Sequence, residues 1–180
     1  MPTDLSLSPL IAATTRWLTR AYPSGGGVFQ SSLVEAQARQ AVTAAAWLRY
    51  PTDLDAQLVA LSGPGGTDRL DRITGEDAAP AVLEGEAQGR AWRTWVDEVL
   101  VSWAACLLSD PALAAAAARA LASTEHARDI AVAFHRLTAP GEDDRRAAAL
   151  LRHPDLVEPV AELYRAELLR CLGAHPAPTG

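Results

Sequence analysis

The stretch TEHARDIAVAFH holds the densest group of chemically capable side chains in this sequence: Glu125, His126, Asp129 and His135. Imidazoles and carboxylates that close together could ligate a metal ion or pass protons. A helical wheel argues against both. At about 100° per residue, His126 and His135 fall about 180° apart, on either side of an apolar stripe of Ala127, Ile130, Ala131, Phe134 and Leu137. Two histidines so placed cannot reach one ion from one helix. Glu125 and Asp129 point outward beside Arg128, so the expectation is a solvated helix face, with His126 kept as a candidate binding residue. There is no H-x-x-x-H or E-x-x-H pair of the kind that builds a di-iron bundle.

A second pattern interleaves arginine with tryptophan. GRAWRTW supplies Arg90, Trp92, Arg93 and Trp95, and TRWLTR supplies Arg16, Trp17 and Arg20. Guanidinium groups beside indoles can form a ligand pocket or partner surface through cation–π and bidentate contacts. The plainer alternative is a tryptophan core with arginines reaching past its rim to water. On that alternative Trp95→Ala costs ~3–5 kcal/mol, and an exposed Arg93→Ala stays within ~0.5 kcal/mol.

Other chemistries are excluded by composition. All 16 basic residues are arginine, and asparagine is also absent. There is thus no Schiff-base lysine, no phosphate-loop lysine and no N-glycosylation acceptor. PSGGG (residues 23–27) lacks that lysine and a preceding strand, so it reads as a flexible connection. It would leave the first helix free to dock or to swap between subunits. Cys106 and Cys171 have no metal-ligand spacing and are expected to be buried free thiols. Gln37, Gln40 and Gln88 are placed toward the interior, where buried amides need hydrogen-bond partners.

The elements that position these residues are helical throughout, with no period-2 strand pattern. Ser8 and Pro9 open a helix over about 9–22. Ser32 and Glu35 have the spacing of a capping box for a helix over about 33–49, which Pro51 ends. Thr52 starts a shorter helix to about Leu61, and a helical turn near Asp68–Ile73 ends at Gly75. Pro80 opens a long helix over about 80–108, on which Arg93 and Asp97 can pair at i,i+4. Asp110 caps the next helix, Ser123 or Thr124 caps one to about Leu137, a short helix covers 143–152, and the last runs from Pro154 or Pro159 to about Leu172. WLRYPTDL, LLSDPAL and LLRHPDL echo one another, but the intervals between Pro51, Pro111 and Pro154 are unequal. They therefore read as punctuation between helices rather than as a tandem repeat.

The fold class expected is all-α: a compact bundle of about seven to nine helices, two of them central (about 33–49 and 80–108), with no sheet. It forms a single domain over 1–172 with a tail at 173–180. The formal charge of −6 disfavours nucleic acid and anionic membrane as partners. The start of the chain lacks a signal-peptide pattern and no apolar run approaches the ~20 residues of a membrane span, so a cytoplasmic location is expected. The codon bias implied by arginine without lysine suits a GC-rich bacterial genome. The function expected is that of a non-enzymatic, protein-binding adaptor, regulator or chaperone-like protein, able to form a homodimer and needing no cofactor or metal. The alternative is a bundle holding a small ligand between Trp-rich helices, with or without catalysis. The candidate ligand- or partner-binding residues are Arg16, Trp17, Arg90, Trp92, Arg93, Trp95 and His126.

Overall fold

The structure, a computed structural model, describes residues 7–76, 92–127 and 134–173. Within them lie ten α-helices and no strand: α1 Ser8–Ala21, α2 Val28–Arg49, α3 Asp53–Ser62, α4 Asp68–Thr74, α5 Glu98–Ser109, α6 Pro111–Leu121, α7 His135–Thr138, α8 Glu142–Ala147, α9 Pro154–Ala161 and α10 Arg165–Cys171. The expected all-α bundle is thus observed. The count exceeds the seven to nine expected because the last helix, expected to run from Pro154 or Pro159 to about Leu172, is split into α9 and α10.

Two helices do form the centre. On α5 every residue from Val99 to Leu108 is buried, and α2 packs along it, with α1 packed mainly against α2 and α9 against α5. Small residues permit this closeness: Ala38, Ala41 and Ala45 of α2 and Ala104 and Ala105 of α5 are wholly buried. Large side chains fill the remaining space. Leu10, Trp17 and Leu18 of α1, Leu100 and Leu107 of α5 and Leu168 of α10 are at most 1% exposed, and each such side chain contributes about 1.5–3 kcal/mol of burial.

Several helix ends are set by local chemistry visible in the sequence. Thr52 and Asp55 form a reciprocal capping box on α3. Asp110 accepts the amides of Ala112 and Leu113 at the start of α6. Gly75 closes α4 at φ 74°, a left-handed conformation that side-chain-bearing residues avoid.

Five further expectations are corrected. Ser8 lies inside α1, whose N-cap is Leu7. The central helix expected from residue 33 begins at Val28; Ser32 lies inside it and donates its hydroxyl to the Val28 carbonyl at 2.9 Å instead of capping. The long helix expected over 80–108 is broken before Glu98. Asp97 is extended and accepts the Val99 amide at 2.9 Å, so a new helix starts there; residues 80–91 lie outside the described residues. The helix expected from Ser123 or Thr124 to Leu137 is also not continuous: Glu125–Ala127 is a 3-10 turn, and Phe134 is non-helical before α7. Its wheel therefore does not relate His126 to His135. Of the two cysteines, Cys106 is buried as expected and Cys171, the last residue of α10, is exposed, with Sγ 4.0 Å from the Leu48 carbonyl.

Candidate functional site

Five of the residues singled out by the arginine–tryptophan pattern meet in one place. Trp17 is fully buried on α1, and its indole N–H donates to Asp71 of α4 at 2.8 Å. The other oxygen of Asp71 accepts from Thr67 at 2.9 Å and from Arg93 at 3.2 Å. Trp92, next to Arg93 in the chain, lies under three guanidinium groups: Arg16 at 5.9 Å, Arg20 at 5.5 Å and Arg93 at 5.5 Å from the ring centre. Arg20 in turn pairs with Glu76 at 3.3 Å. Burial pushes the Glu76 carboxyl up, Arg20 opposing it, and its second oxygen is buried with no hydrogen-bond partner among the described residues.

Both oxygens of the Asp71 carboxylate are engaged, so it acts as a strut between helices. Three arginines against two carboxylates leave the group nearly neutralised. Arg16 has no carboxylate partner among the described residues. Sequence reasoning missed Asp71 and Glu76, the two acids that organise the cluster. Asp71 sits in DRLDRIT among charges that look uniformly solvated, and its partners are distant in sequence. The pairing expected between Arg93 and Asp97 is not made: Arg93 turns to Asp71, and Asp97 caps α5 and accepts the Tyr50 hydroxyl at 2.6 Å. Trp95 is half-buried against the core and outside the cluster. Arg90 and Gln88 lie outside the described residues.

His126 belongs to a separate group at the C-terminal end of α2. Its ring stacks on Trp47 at 5.5 Å and 18°. Its Nε2 lies 2.6 Å from the Tyr50 carbonyl. A carbonyl can only accept, so Nε2 carries the proton and donates. Glu125 beside it accepts the Asp53 amide at 3.1 Å. Imidazole and carboxylate here tie the α2–α3 turn in place. Tyr50, joined to Asp97, is pushed up to about 12, first by burial and then by that hydrogen bond.

The interior amide of Gln37 is fully used. It donates to the Leu33 and Asp144 carbonyls and accepts from Arg152. Among the described residues no group of three or more His, Cys, Asp and Glu is placed to hold a metal ion, and no helix is long and apolar enough to cross a membrane.

The feature least expected from the sequence is on α3. Leu54, Leu58 and Leu61 are 64%, 55% and 82% exposed, while the smaller Ala56 and Val59 are buried. The three leucines follow i, i+4, i+7 spacing and so form one row along the helix. The acids of α3, Asp53 and Asp55, lie in its first turn, and the helix carries no basic residue.

Comparisons with protein-family models, with curated proteins and with solved structures find no match. The class that fold and site define is therefore the structural one, an all-α helical bundle.

Proposed function

We propose that this chain is a non-enzymatic helical protein that works by binding another protein, and that α3 carries the contact. The observation behind this reading is the exposed row Leu54, Leu58 and Leu61. A helix that buries alanine and valine and leaves its leucines in water costs apolar hydration that a partner would relieve. The acids at its first turn favour a partner segment with arginine or lysine flanking its own apolar face. The occupant is thus an amphipathic, basic-flanked helix of another protein. The engaged state of Asp71, His126 and Gln37 supports a scaffold reading of the polar groups inside.

The test is photo-crosslinking from Leu58→benzoylphenylalanine in extract of the source organism, with Arg119→benzoylphenylalanine as control. The expected result is one adduct, mapped to a basic amphipathic helix and lost on Leu54→Ser/Leu61→Ser. Adducts of equal pattern from both positions overturn the reading. A Leu58-dependent dimer in sedimentation velocity replaces the partner with a second copy.

A second reading, a small anionic or aromatic ligand at Trp92, is favoured by one observation: Arg16 stacks on that ring without a carboxylate partner among the described residues. Native mass spectrometry showing a bound small molecule lost on Arg16→Gln would move the function there.

A further inference from the structure

Away from both places, a cleft of about 310 Å³ opens where two of the echoing segments meet, Leu108–Pro111 and Arg152–Pro154. The charged side chains of its lining are Arg145 and Arg152, with His153 beside them and Pro111, Pro140 and Ala149 among the apolar walls. Arg152 is half-buried, and burial lowers it to about 10, still charged at neutral pH.

The hydrogen-bond partners of Arg152 among the described residues are all neutral, and the Asp144 carboxylate favours its charged form only from a distance, with no ion pair between them. Nε donates to the Gln37 side chain, one terminal nitrogen to the Leu108 carbonyl at 2.9 Å and the other to the Arg136 carbonyl at 2.6 Å. A guanidinium has five N–H groups, so two remain. The nearby acids are engaged elsewhere. Asp144 is held by Arg136 and by the Gly141 amide. Glu142 and Asp143 pair with Arg146. Arg145 makes no ion pair among the described residues.

We propose that this cleft binds a small organic carboxylate. The carboxylate sits between Arg145 and Arg152, whose planar forks match it. The body of the ligand lies against the prolines. A carboxylate with an apolar body fits better than inorganic phosphate. Phosphate sites draw on free amides at helix starts, and here Asp110 already occupies the Ala112 and Leu113 amides, while Pro111 and Pro154, first in their helices, have none to give.

The experiment titrates the full chain with benzoate, benzamide and inorganic phosphate at neutral pH, following backbone amide resonances. Benzoate should give saturable shifts at Ser109, Arg145 and His153. Benzamide should give none, and phosphate weaker ones. Arg145→Gln, at an exposed side chain, should weaken benzoate about tenfold, and Arg146→Gln should leave it unchanged. Benzamide binding as well as benzoate, phosphate binding more tightly, or benzoate binding indifferent to Arg145→Gln would each overturn the assignment.

Discussion

Asp71 shows how much one side chain can organise. It is 3% exposed and joins α1, through Trp17, to the segment carrying Trp92 and Arg93. Removing it strands the indole N–H of Trp17, which lies in a fully buried ring. Arg93, 37% exposed at the side chain, can turn to water. Asp71→Ala is therefore expected to cost about 2–3 kcal/mol, the cost of an unmet buried donor plus a weakened ion pair. Arg93→Ala is expected to cost about 1 kcal/mol, above the ~0.5 kcal/mol of a surface change, because Asp71 loses one of its three donors. Arg16→Ala, whose side chain makes only a stacking contact among the described residues, should stay within ~0.5 kcal/mol. Urea unfolding of the three variants checks the order; an Asp71→Ala as mild as Arg16→Ala would show that the carboxylate is not the organiser. The arginines and tryptophans of this cluster were legible because their types repeat in two segments. Asp71 was not, since a lone acid in a charged heptapeptide gives no hint of partners far along the chain.

At the scale of elements, what was legible was local. Asp110 before Pro111, Thr52 three residues before Asp55 and Gly75 after α4 act within one turn, so their spacing carries the information. The start of α5 did not show itself. Trp92, Trp95, Val96 and Val99 keep helical spacing across the break, and periodicity cannot distinguish a continuous helix from two that share a buried side. The acid at Asp97 followed by Glu98 was the available signal. Exposure of the α3 leucines was illegible for a related reason: with Ala56 and Val59 opposite, apolar residues occupy both sides, and only packing decides which is buried. Asp97 gives the test at this scale, since it caps α5 and receives Tyr50. Asp97→Ala should cost about 1–2 kcal/mol. Asp97→Ser keeps a capping oxygen and should recover about half of that. Tyr50→Phe should add little to Asp97→Ala, because the partner is already gone. Thermal unfolding of the three variants and the double variant measures this, and full additivity would deny the coupling.

Across the whole molecule, the chain's three tyrosines all act as clasps between helices. Tyr22, after α1, donates to the Leu156 carbonyl of α9 at 3.3 Å. Tyr50, after α2, donates to Asp97 at the start of α5. Tyr164, between α9 and α10, donates to Glu98 of α5 at 2.9 Å. A phenolate in any of these places would face an oxygen. Tyr22 and Tyr50 are accordingly pushed up to about 12, chiefly by burial, and Tyr164 upward, chiefly by its bond to Glu98. The folded state thus holds these protons more tightly than the unfolded chain, whose tyrosines titrate near 10. The stabilisation is complete below about pH 10 and is lost as pH rises from there toward 12. Buried Cys106, raised to about 11 by desolvation, has the same sign and starts the decline near pH 9. Arg152, lowered to about 10, acts in the opposite sense and offsets part of it. Denaturant unfolding across this range should show stability flat to about pH 9 and then falling, at up to about 1.4 kcal/mol per pH unit for each tyrosine. Tyr22→Phe/Tyr50→Phe should flatten the fall while lowering stability at neutral pH by no more than about 1 kcal/mol per lost bond. Because Tyr50 is half-buried, its share should be the smaller of the two. A profile that stays level to pH 12, or one whose slope is unchanged by both substitutions, would mean that the helices are not held by protonated phenols.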